Sequence, residues 1–273
     1  MPLRTPSSKP GGNLPDKESQ APILALKNSQ APSVFEPANL LREARRQREL
    51  DHAEVPELCL LDPDGDIVRF LKRTGQAEAV SHWACYHSQM WRFTWEGQEF
   101  GIVGCAVGAP YAVLVAEQMF ASGCRFLISI TSSGRIAPLP HSPCFILIEQ
   151  ALRDEGTSYH YLPPSRHVEA DALVLERLAS LKEVRRGTTW TTDAPYRETE
   201  EAIAAHRKDG ILAVEMEAAA LYAFSKARNC PLVCFAHVTN QMAQSGDDFE
   251  KGDDGGAIEA LSLASAAAKA WMN

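Results

Sequence analysis

The sequence predicts an α/β fold with three layers (α/β/α), built on a central, mostly parallel twisted sheet. Short apolar segments alternate along the chain with alanine-rich or amphipathic segments, which is typical of strands alternating with helices. The strand segments, such as residues 58–61 and 232–238, are apolar almost throughout rather than at every second position. That pattern indicates strands covered on both faces. Because ligands of such sheets bind at the carboxyl ends of strands, we expect the chemistry there.

Length and charge favour one large domain that does not bind nucleic acid. The 273 residues fit a single α/β domain over residues 36–273. Residues 1–35 are rich in Pro, Ser, Gly and Lys and have no hydrophobic period, so we expect a disordered N-terminal tail. The net charge of −8 argues against general nucleic-acid binding.

Cysteine usage and hydropathy indicate a reducing compartment. The seven cysteines are scattered and form no C-x-x-C pair, which predicts neither a metal site nor a disulfide framework. We therefore expect reduced thiols in a cytoplasmic protein. No apolar run reaches the roughly 18 residues of a membrane span, and no signal-peptide pattern opens the chain.

The elements follow from the hydrophobic pattern in chain order. Helices are predicted over residues 37–50, 67–72, 111–122, 170–181, 218–227 and 257–271. Strands are predicted over residues 58–61, 83–95, 100–107, 125–130, 144–149, 184–191, 211–214 and 232–238. In the helix over 170–181 we expect four apolar side chains to point inward, namely Leu173, Val174, Leu178 and Leu181. Residues 245–256 form an acidic, glycine-rich segment that is a candidate lid.

Residues 208–240 carry the most informative motif. A buried strand ends in Glu215, Met216 and Glu217, and an alanine-rich helix follows directly. Acids in the first turn of a helix offset its dipole, which explains one glutamate without any function. Two acids around a methionine resemble the V-E-M-E-A-A hallmark of the nucleoside phosphorylase family, which includes uridine phosphorylase and hexameric purine nucleoside phosphorylase.

The resemblance implies a nucleoside phosphorylase-like fold and cleavage of an N-glycosidic bond. By analogy with the family, Glu217 binds the ribose 2′ and 3′ hydroxyls, because a carboxylate can accept both protons. Met216 packs against the ribose and Glu215 completes the ribose site by supporting its loop.

Asn240 ends the last predicted strand in V-T-N, where the purine enzyme of the family has V-S-D with a general-acid aspartate. An amide cannot deliver a proton, but it can hydrogen-bond a base carbonyl or N–H. The resemblance therefore implies a catalytic and base-binding Asn240 that favours a pyrimidine or a 6-oxopurine. The alternative is a loop asparagine that satisfies backbone groups.

A phosphate or nucleophile site is implied at two small-residue turns. The turn over residues 104–110 resembles the family's G-x-G-x-P turn, and Gly108 would offer its amide at a helix N-terminus. The segment Thr131-Ser132-Ser133-Gly134 resembles the family's phosphate-holding strand end. Ser132, Ser133 and Gly134 are therefore candidates for this site.

The family's phosphate-binding arginines are absent at the aligned positions. One falls at Gly65 or Asp66 in an aspartate-rich loop, and the other at Ser129. Such a loop repels phosphate, which leaves Arg69 or Arg135 as local substitutes. Asp66 also has a structural alternative, since it could cap the following helix.

Four residues are candidates for binding the base. Tyr159 and Tyr161 lie in D-E-G-T-S-Y-H-Y, which resembles a family segment with a stacking aromatic ring. Tyr196 and Arg197 follow the strand over 184–191, as in the family's S-D-x-F-Y segment, and a guanidinium can reach two acceptors. Amphipathic packing is the alternative for a loop tyrosine.

Three functions stay open at this point. They are a phosphorylase with phosphate as co-substrate, a phosphate-independent nucleosidase, and a non-catalytic nucleoside binder. No resident cofactor or metal is expected, and the partner is a nucleoside, with or without phosphate. Because family active sites borrow residues from a neighbouring subunit, the resemblance implies a homodimer or homohexamer, with His87 near a borrowed position.

Overall fold

The computed structural model of the chain describes residues 21–25, 27–29, 31–139, 144–182, 184–240 and 251–273. Within these ranges the helices are α1 (Pro37–Arg48), α2 (Asp66–Arg73), α3 (Ala109–Ala121), α4 (Ser158–Tyr161), α5 (Ala172–Arg177), α6 (Glu200–Lys208), α7 (Ala218–Arg228) and α8 (Ala257–Met272). The strands are β1 (Leu58–Asp62), β2 (Glu78–Ala79), β3 (Met90–Trp95), β4 (Gln98–Gly104), β5 (Phe126–Arg135), β6 (Cys144–Asp154), β7 (His167–Glu169), β8 (Arg185–Thr192), β9 (Ala213–Glu215) and β10 (Leu232–Asn240).

These strands belong to one sheet, and part of it closes on itself. Parallel pairings join β4, β1, β5 and β10 in that order, and a second parallel set joins β6, β8 and β9. Antiparallel pairings of β10 with β6 and of β9 with β5 connect the two sets. Strands β5, β10, β6, β8 and β9 therefore form a closed ring. The predicted fold class is confirmed, and the closure of the ring is a feature that the apolar pattern did not indicate.

Helices cover both faces of the sheet, and strand β1 shows this residue by residue. Cys59 and Leu61 pack in the hydrophobic cluster that contains α3 and α7. Leu58 and Leu60 pack in the cluster that contains α2 and α8. Alternate residues thus face opposite helical layers, which explains why the strand is apolar at every position.

Two predicted elements are shorter than expected. The strand predicted over 83–95 exists only as β3, and Trp83 and Cys85 are buried in a loop instead. The helix predicted over 170–181 begins after Asp171, whose carboxylate accepts hydrogen bonds from the first-turn amides, and ends at α5 before a 3-10 turn, Leu178–Ser180. Leu173 was predicted to point inward, but it is 67% exposed. That expectation is wrong because the helix is too short for its four apolar residues to share one buried face.

The aspartate-rich loop after β1 is shaped by Asp62 and not by an Asp66 cap. Gly65 precedes α2 in the left-handed region, with φ +78°, where glycine avoids the strain of a Cβ. The Asp62 carboxylate accepts hydrogen bonds from the amides of Gly65 and Val68, at 3.0 and 2.9 Å. Asp66 lies in the first helical turn and makes no capping hydrogen bond.

The described part of the N-terminal segment contacts the domain. A 3-10 turn, Pro22–Leu24, packs near α4, and Lys27 Nζ lies 3.1 Å from His160 Nδ1. Residues 1–20 lie outside the described residues, so the expected tail and its boundary at residue 36 stay predictions. Residues 245–250 of the candidate lid also lie outside them, whereas Asp254 binds Arg73 of α2 at 2.5 Å.

None of the described helices is long and apolar enough to cross a membrane, and the seven cysteines are free thiols.

Candidate active site

Strand β5 brings the two most informative motifs together. Gly134 is the Cα partner of Val214 in β9 and also of Asn240 in β10. Adjacent strands lie about 5 Å apart, so the start of the Glu-Met-Glu motif and Asn240 flank one residue. Strand β9 runs antiparallel to β5, and Glu215, its last residue, pairs with Thr191 of β8. We therefore look for the site on this stretch of β5.

Both carboxylate oxygens of Glu215 accept hydrogen bonds from groups of the protein itself. Its Oε1 accepts hydrogen bonds from the hydroxyls of Thr189 and Thr191, at 3.0 and 2.5 Å. Its Oε2 accepts from the amides of Glu217 and Ala218, both at 2.7 Å. These donors fill the lone pairs of the carboxylate. Glu215 therefore supports the loop and the start of α7, which is the role expected for it within the ribose site.

Glu217 differs from Glu215 because one of its oxygens has no partner. The side chain is 1% exposed, and Oε1 accepts a hydrogen bond from the Gly108 amide at 2.7 Å. Oε2 is buried without a hydrogen-bond partner among the described residues. Burial, and then the charge of Glu215, raise the pKa of Glu217 to about 8, against the opposing Gly108 hydrogen bond. Such an acceptor is positioned to receive a hydroxyl from a ligand. Met216 beside it is half-buried.

The donors predicted for an anion are largely occupied by carboxylates. The Gly108 amide binds Glu217, as above. The amide and hydroxyl of Ser132 donate to the Asp64 carboxylate, at 2.7 and 2.6 Å. Ser133 is 3% exposed, and its hydroxyl has no hydrogen-bond partner among the described residues. Gly134 is a buried member of the β5 ladder. The expectation that Gly108 and Ser132 offer free donors to phosphate is therefore wrong for this structure.

Of the two candidate arginines, Arg69 is bound within its own loop. Arg69 binds the Asp66 carboxylate at 2.5 Å and the Asp64 carbonyl at 2.9 Å. Arg135 ends β5 opposite Ala213 of β9. Lys251 binds Asp66 at 2.5 Å and lies 3.5 Å from Asp64. The positive charges near the loop thus neutralise its own acids.

The base-binding candidates are not brought together. Tyr159 donates its hydroxyl to the Arg153 carbonyl at 3.1 Å, and the Arg153 guanidinium lies 4.4 Å from its ring centre. Tyr161 donates to Glu117 at 2.9 Å. Tyr196 is fully exposed, and Arg197 beside it is exposed as well. Each tyrosine hydroxyl inside the fold therefore has a structural partner.

A cavity of about 570 Å³ lies along α3, next to the carboxylate site. Its walls include Pro110, Val113, Gly156, Tyr161 and Asp193. Glu217 does not line this cavity, but Gly108, which binds Glu217, caps the same helix at its N-terminus. The cavity and Glu217 thus both lie near the start of α3, since Pro110 lines the cavity and Gly108 binds Glu217.

Asn240 is half-buried, and its amide donates to the Thr239 hydroxyl at 3.2 Å. His237 on the same strand, which the sequence did not single out, is the Cα partner of Ser132 and stacks on Phe145 at 4.4 Å. Burial lowers the pKa of His237 to about 4. A neutral imidazole therefore lies beside Ser132 at ordinary pH. Among the described residues no cluster of three or more metal-ligating side chains occurs.

The sequence analysis also missed Asp64, Thr189 and Thr191 as parts of the site. One residue separates Thr189 from Thr191 in β8, so both threonine side chains face the same side of the strand. Polar residues with this spacing in an otherwise buried strand are a signal that could have indicated them.

The raised pKa of Glu217 predicts a stability that falls as pH rises. Its folded-state pKa of about 8 lies above the ordinary value of 4.5. The stability that neutral Glu217 contributes to the folded state is therefore complete below about pH 4.5, and it is lost as pH rises through 8. We expect the free energy of unfolding to fall across this window by at most about 1.4 kcal/mol per pH unit from this group. Urea unfolding of the wild type and of Glu217→Gln at several pH values checks this, and equal pH slopes would contradict it.

The fold and the paired buried glutamates define an α/β protein with a carboxylate site on a closed ring of strands. The chain belongs to the phosphorylase superfamily, whose sequence profile matches residues 58–270. The resemblance to nucleoside phosphorylases is thereby confirmed. Uridine phosphorylase from Vibrio fischeri ES114 has the same fold, with a TM-score of 0.63 and 21% identity over 81% of this chain and 92% of that one.

Two curated relatives widen the comparison. Guanosine phosphorylase of Halorubrum lacusprofundi is 20% identical over 211 residues, which are 75% of this chain and 87% of the relative. Protein R802 of Acanthamoeba polyphaga mimivirus is 27% identical over 148 residues, which are 54% of this chain and 59% of that protein.

Proposed function

We propose that this protein cleaves the N-glycosidic bond of a nucleoside whose base is a pyrimidine or a 6-oxopurine. The observation that carries the proposal is the buried Glu217, which has one oxygen fixed by Gly108 and the other without a partner among the described residues. Membership of the phosphorylase superfamily gives the reaction class. Relatives named for uridine and for guanosine are consistent with both classes of base.

In the proposed mechanism Glu217 holds the ribose through its hydroxyls. When the hydroxyls donate to Oε2, they favour the charged form of Glu217 and lower its raised pKa. A carboxylate beneath the sugar stabilises the positive charge that develops at C1′ as the bond to the base breaks. Met216 would pack against the sugar, and Glu215 would keep the loop in place.

Asn240 would assist departure of the base. The acceptor oxygen bonds to C1′ while the electron pair of the C1′–N bond leaves with the base. An amide beside the leaving base can stabilise its negative charge by donating a hydrogen bond, but it cannot protonate it. Adenine needs a proton more than uracil or hypoxanthine does, so adenosine is expected to be a poor substrate.

The proposal also covers the molecule that accepts the ribosyl group and the oligomeric state of the protein. Phosphate is the acceptor by analogy with the family, whereas water is favoured by the Asp64 carboxylate that binds Ser132. Tyr159, Tyr161, Tyr196 and Arg197 stay candidates for the base only if the chain rearranges on binding. A homodimer or homohexamer that adds residues of a neighbour is proposed by the same analogy.

The experiment is release of free base from uridine, inosine, guanosine and adenosine, each with and without phosphate. Chromatography of the products separates free ribose from ribose-1-phosphate. We expect release from uridine or from a 6-oxopurine nucleoside, and little from adenosine. Release from adenosine alone would contradict the role of Asn240. Absence of release from all four, together with calorimetric binding of a nucleoside, would identify a binder instead.

A further inference from the structure

We propose that Asp64 determines the nucleophile, because its carboxylate fills the anion-binding donors of Ser132 and excludes phosphate. This inference rests on the proposed function. Asp64 Oδ2 receives the Ser132 amide at 2.7 Å, and Oδ1 receives the Ser132 hydroxyl at 2.6 Å. A carboxylate that takes two donors from one residue occupies the position that two phosphate oxygens would need.

The contact follows from the strand register. Strands β1 and β5 are parallel neighbours, and Leu61 is the Cα partner of Ser129. Asp64 and Ser132 each lie three residues further along. Asp64 itself lies in the turn after β1, two residues past the strand end at Asp62, so the turn carries its carboxylate alongside β5.

The loop is held in this conformation from several sides. Asp62 binds the amides of Gly65 and Val68, and its carbonyl accepts the Cys105 amide at 2.9 Å. A Cβ on Gly65 would lie 2.6 Å from the Cys105 sulfur, so the turn fits only glycine at this point. Asp64 is therefore placed by a packed turn.

Charge adds to the exclusion. The loop carries Asp62, Asp64 and Asp66 against two cations: Arg69 binds Asp66, and Lys251 binds Asp66 and lies 3.5 Å from Asp64. Phosphate is largely a dianion, and like charges at contact distance repel strongly where water is partly excluded.

Two buried polar atoms, one in β5 and one just after β9, bear on the charge of the ligand that the site would hold. Glu217 Oε2 and Ser133 Oγ are both without hydrogen-bond partners among the described residues. Both side chains are at least nine-tenths buried. A neutral ligand with hydroxyl groups satisfies them without adding charge, which fits a nucleoside and a water molecule better than phosphate.

Water is therefore the acceptor that we infer. The water oxygen forms a bond to C1′ as the C1′–N bond breaks, and the electron pair of that bond leaves on the base nitrogen. One proton of the water is transferred in net terms to the base. The products are free ribose and free base, so neither an oxidant nor a second substrate is needed.

The test compares the wild type with Asp64→Ala, Asp64→Asn and the matched control Asp66→Asn. Asp66 lies in the same loop and binds the same lysine, but it does not contact Ser132. Inorganic phosphate is titrated into each protein by calorimetry without nucleoside. We expect no saturable binding to the wild type or to Asp66→Asn, and binding at least about tenfold tighter in Asp64→Ala. Asp64→Asn, which keeps the contact but loses the charge, should lie between them.

A double variant, Asp64→Ala with Ser132→Ala, should lose the binding that Asp64→Ala gains. Saturable phosphate binding to the wild type that Asp64→Ala does not tighten would overturn the proposal. If Asp64→Ala does not fold, the wild type and Asp64→Asn decide in the same way. Base release in the same buffers then separates the two proposals. A protein that releases no base refutes the proposed function, whereas the phosphate titration still decides the role of Asp64.

Discussion

Glu217→Ala is expected to fold like the wild type and to lose at least about a hundredfold of the rate of base release. The side chain ends at an oxygen that has no partner among the described residues, and under the proposed function its removal deletes the contacts to the ribose. A hydrogen bond to a charged group contributes about 1.5–3 kcal/mol. Two such bonds at the reacting sugar therefore correspond to roughly a hundredfold or more in rate. The measurement is base release from the best substrate of the panel, under saturating and subsaturating conditions.

Two variants make this result interpretable. Glu217→Gln keeps an oxygen for the Gly108 amide but removes the charge, so it separates hydrogen bonding from stabilisation of the positive sugar. Glu201→Gln changes an exposed acid in the first turn of α6, and it controls for loss of one acid. Circular dichroism confirms that each variant is folded. A purified Glu217→Ala protein with nearly normal turnover would refute the assignment.

The core of this site could be predicted from the sequence because it is local. An apolar strand, Glu-Met-Glu and an alanine-rich helix follow each other without a gap, so the motif fixes both the residues and their place at a strand end. The same holds for Asn240 at the end of β10. The paired roles of the glutamates also follow from neighbours in sequence, since Glu215 binds the amides of Glu217 and Ala218.

The contact of Asp64 with Ser132 could not be predicted in the same way. It depends on β1 and β5 being neighbours in the sheet, although 63 residues of sequence lie between the end of β1 and the start of β5. Hydrophobic pattern gives the strands but not their order. The register of Leu61 with Ser129 brings the end of β1 beside β5, and the hydrogen bonds of Asp62 to Gly65 and Val68 then shape the turn that carries Asp64.

The base candidates show the opposite case, in which residue type was a poor guide. Tyrosine in a loop can stack on a ligand or can pack with its hydroxyl bonded to the protein. Tyr159 and Tyr161 do the second, through the Arg153 carbonyl and Glu117. Only the groups that each tyrosine contacts in the folded protein distinguish these two uses, and the sequence alone does not give those contacts.

The two glutamates of one motif thus have different electrostatic environments. Four donors surround Glu215, whereas among the described residues Glu217 accepts from the Gly108 amide and its pKa is lowered further by the Thr131 side chain. Burial raises the pKa of both, and the hydrogen bonds to Glu215 oppose that rise. A supporting residue and a ligand-binding residue should therefore respond differently to the same substitution.

Glu215→Ala is expected to lose stability first and activity as a consequence. The substitution leaves two threonine hydroxyls and two amides buried without their acceptor. Each buried donor without a partner costs about 1–3 kcal/mol, so the total is several kcal/mol out of a typical stability of about 5–15 kcal/mol. Urea unfolding should show a much lower midpoint than for Glu217→Ala. Thr189→Val is the graded control, because it removes one donor and leaves Glu215 with three others. A Glu215→Ala protein as stable as the wild type but inactive would show instead that Glu215 contacts the substrate.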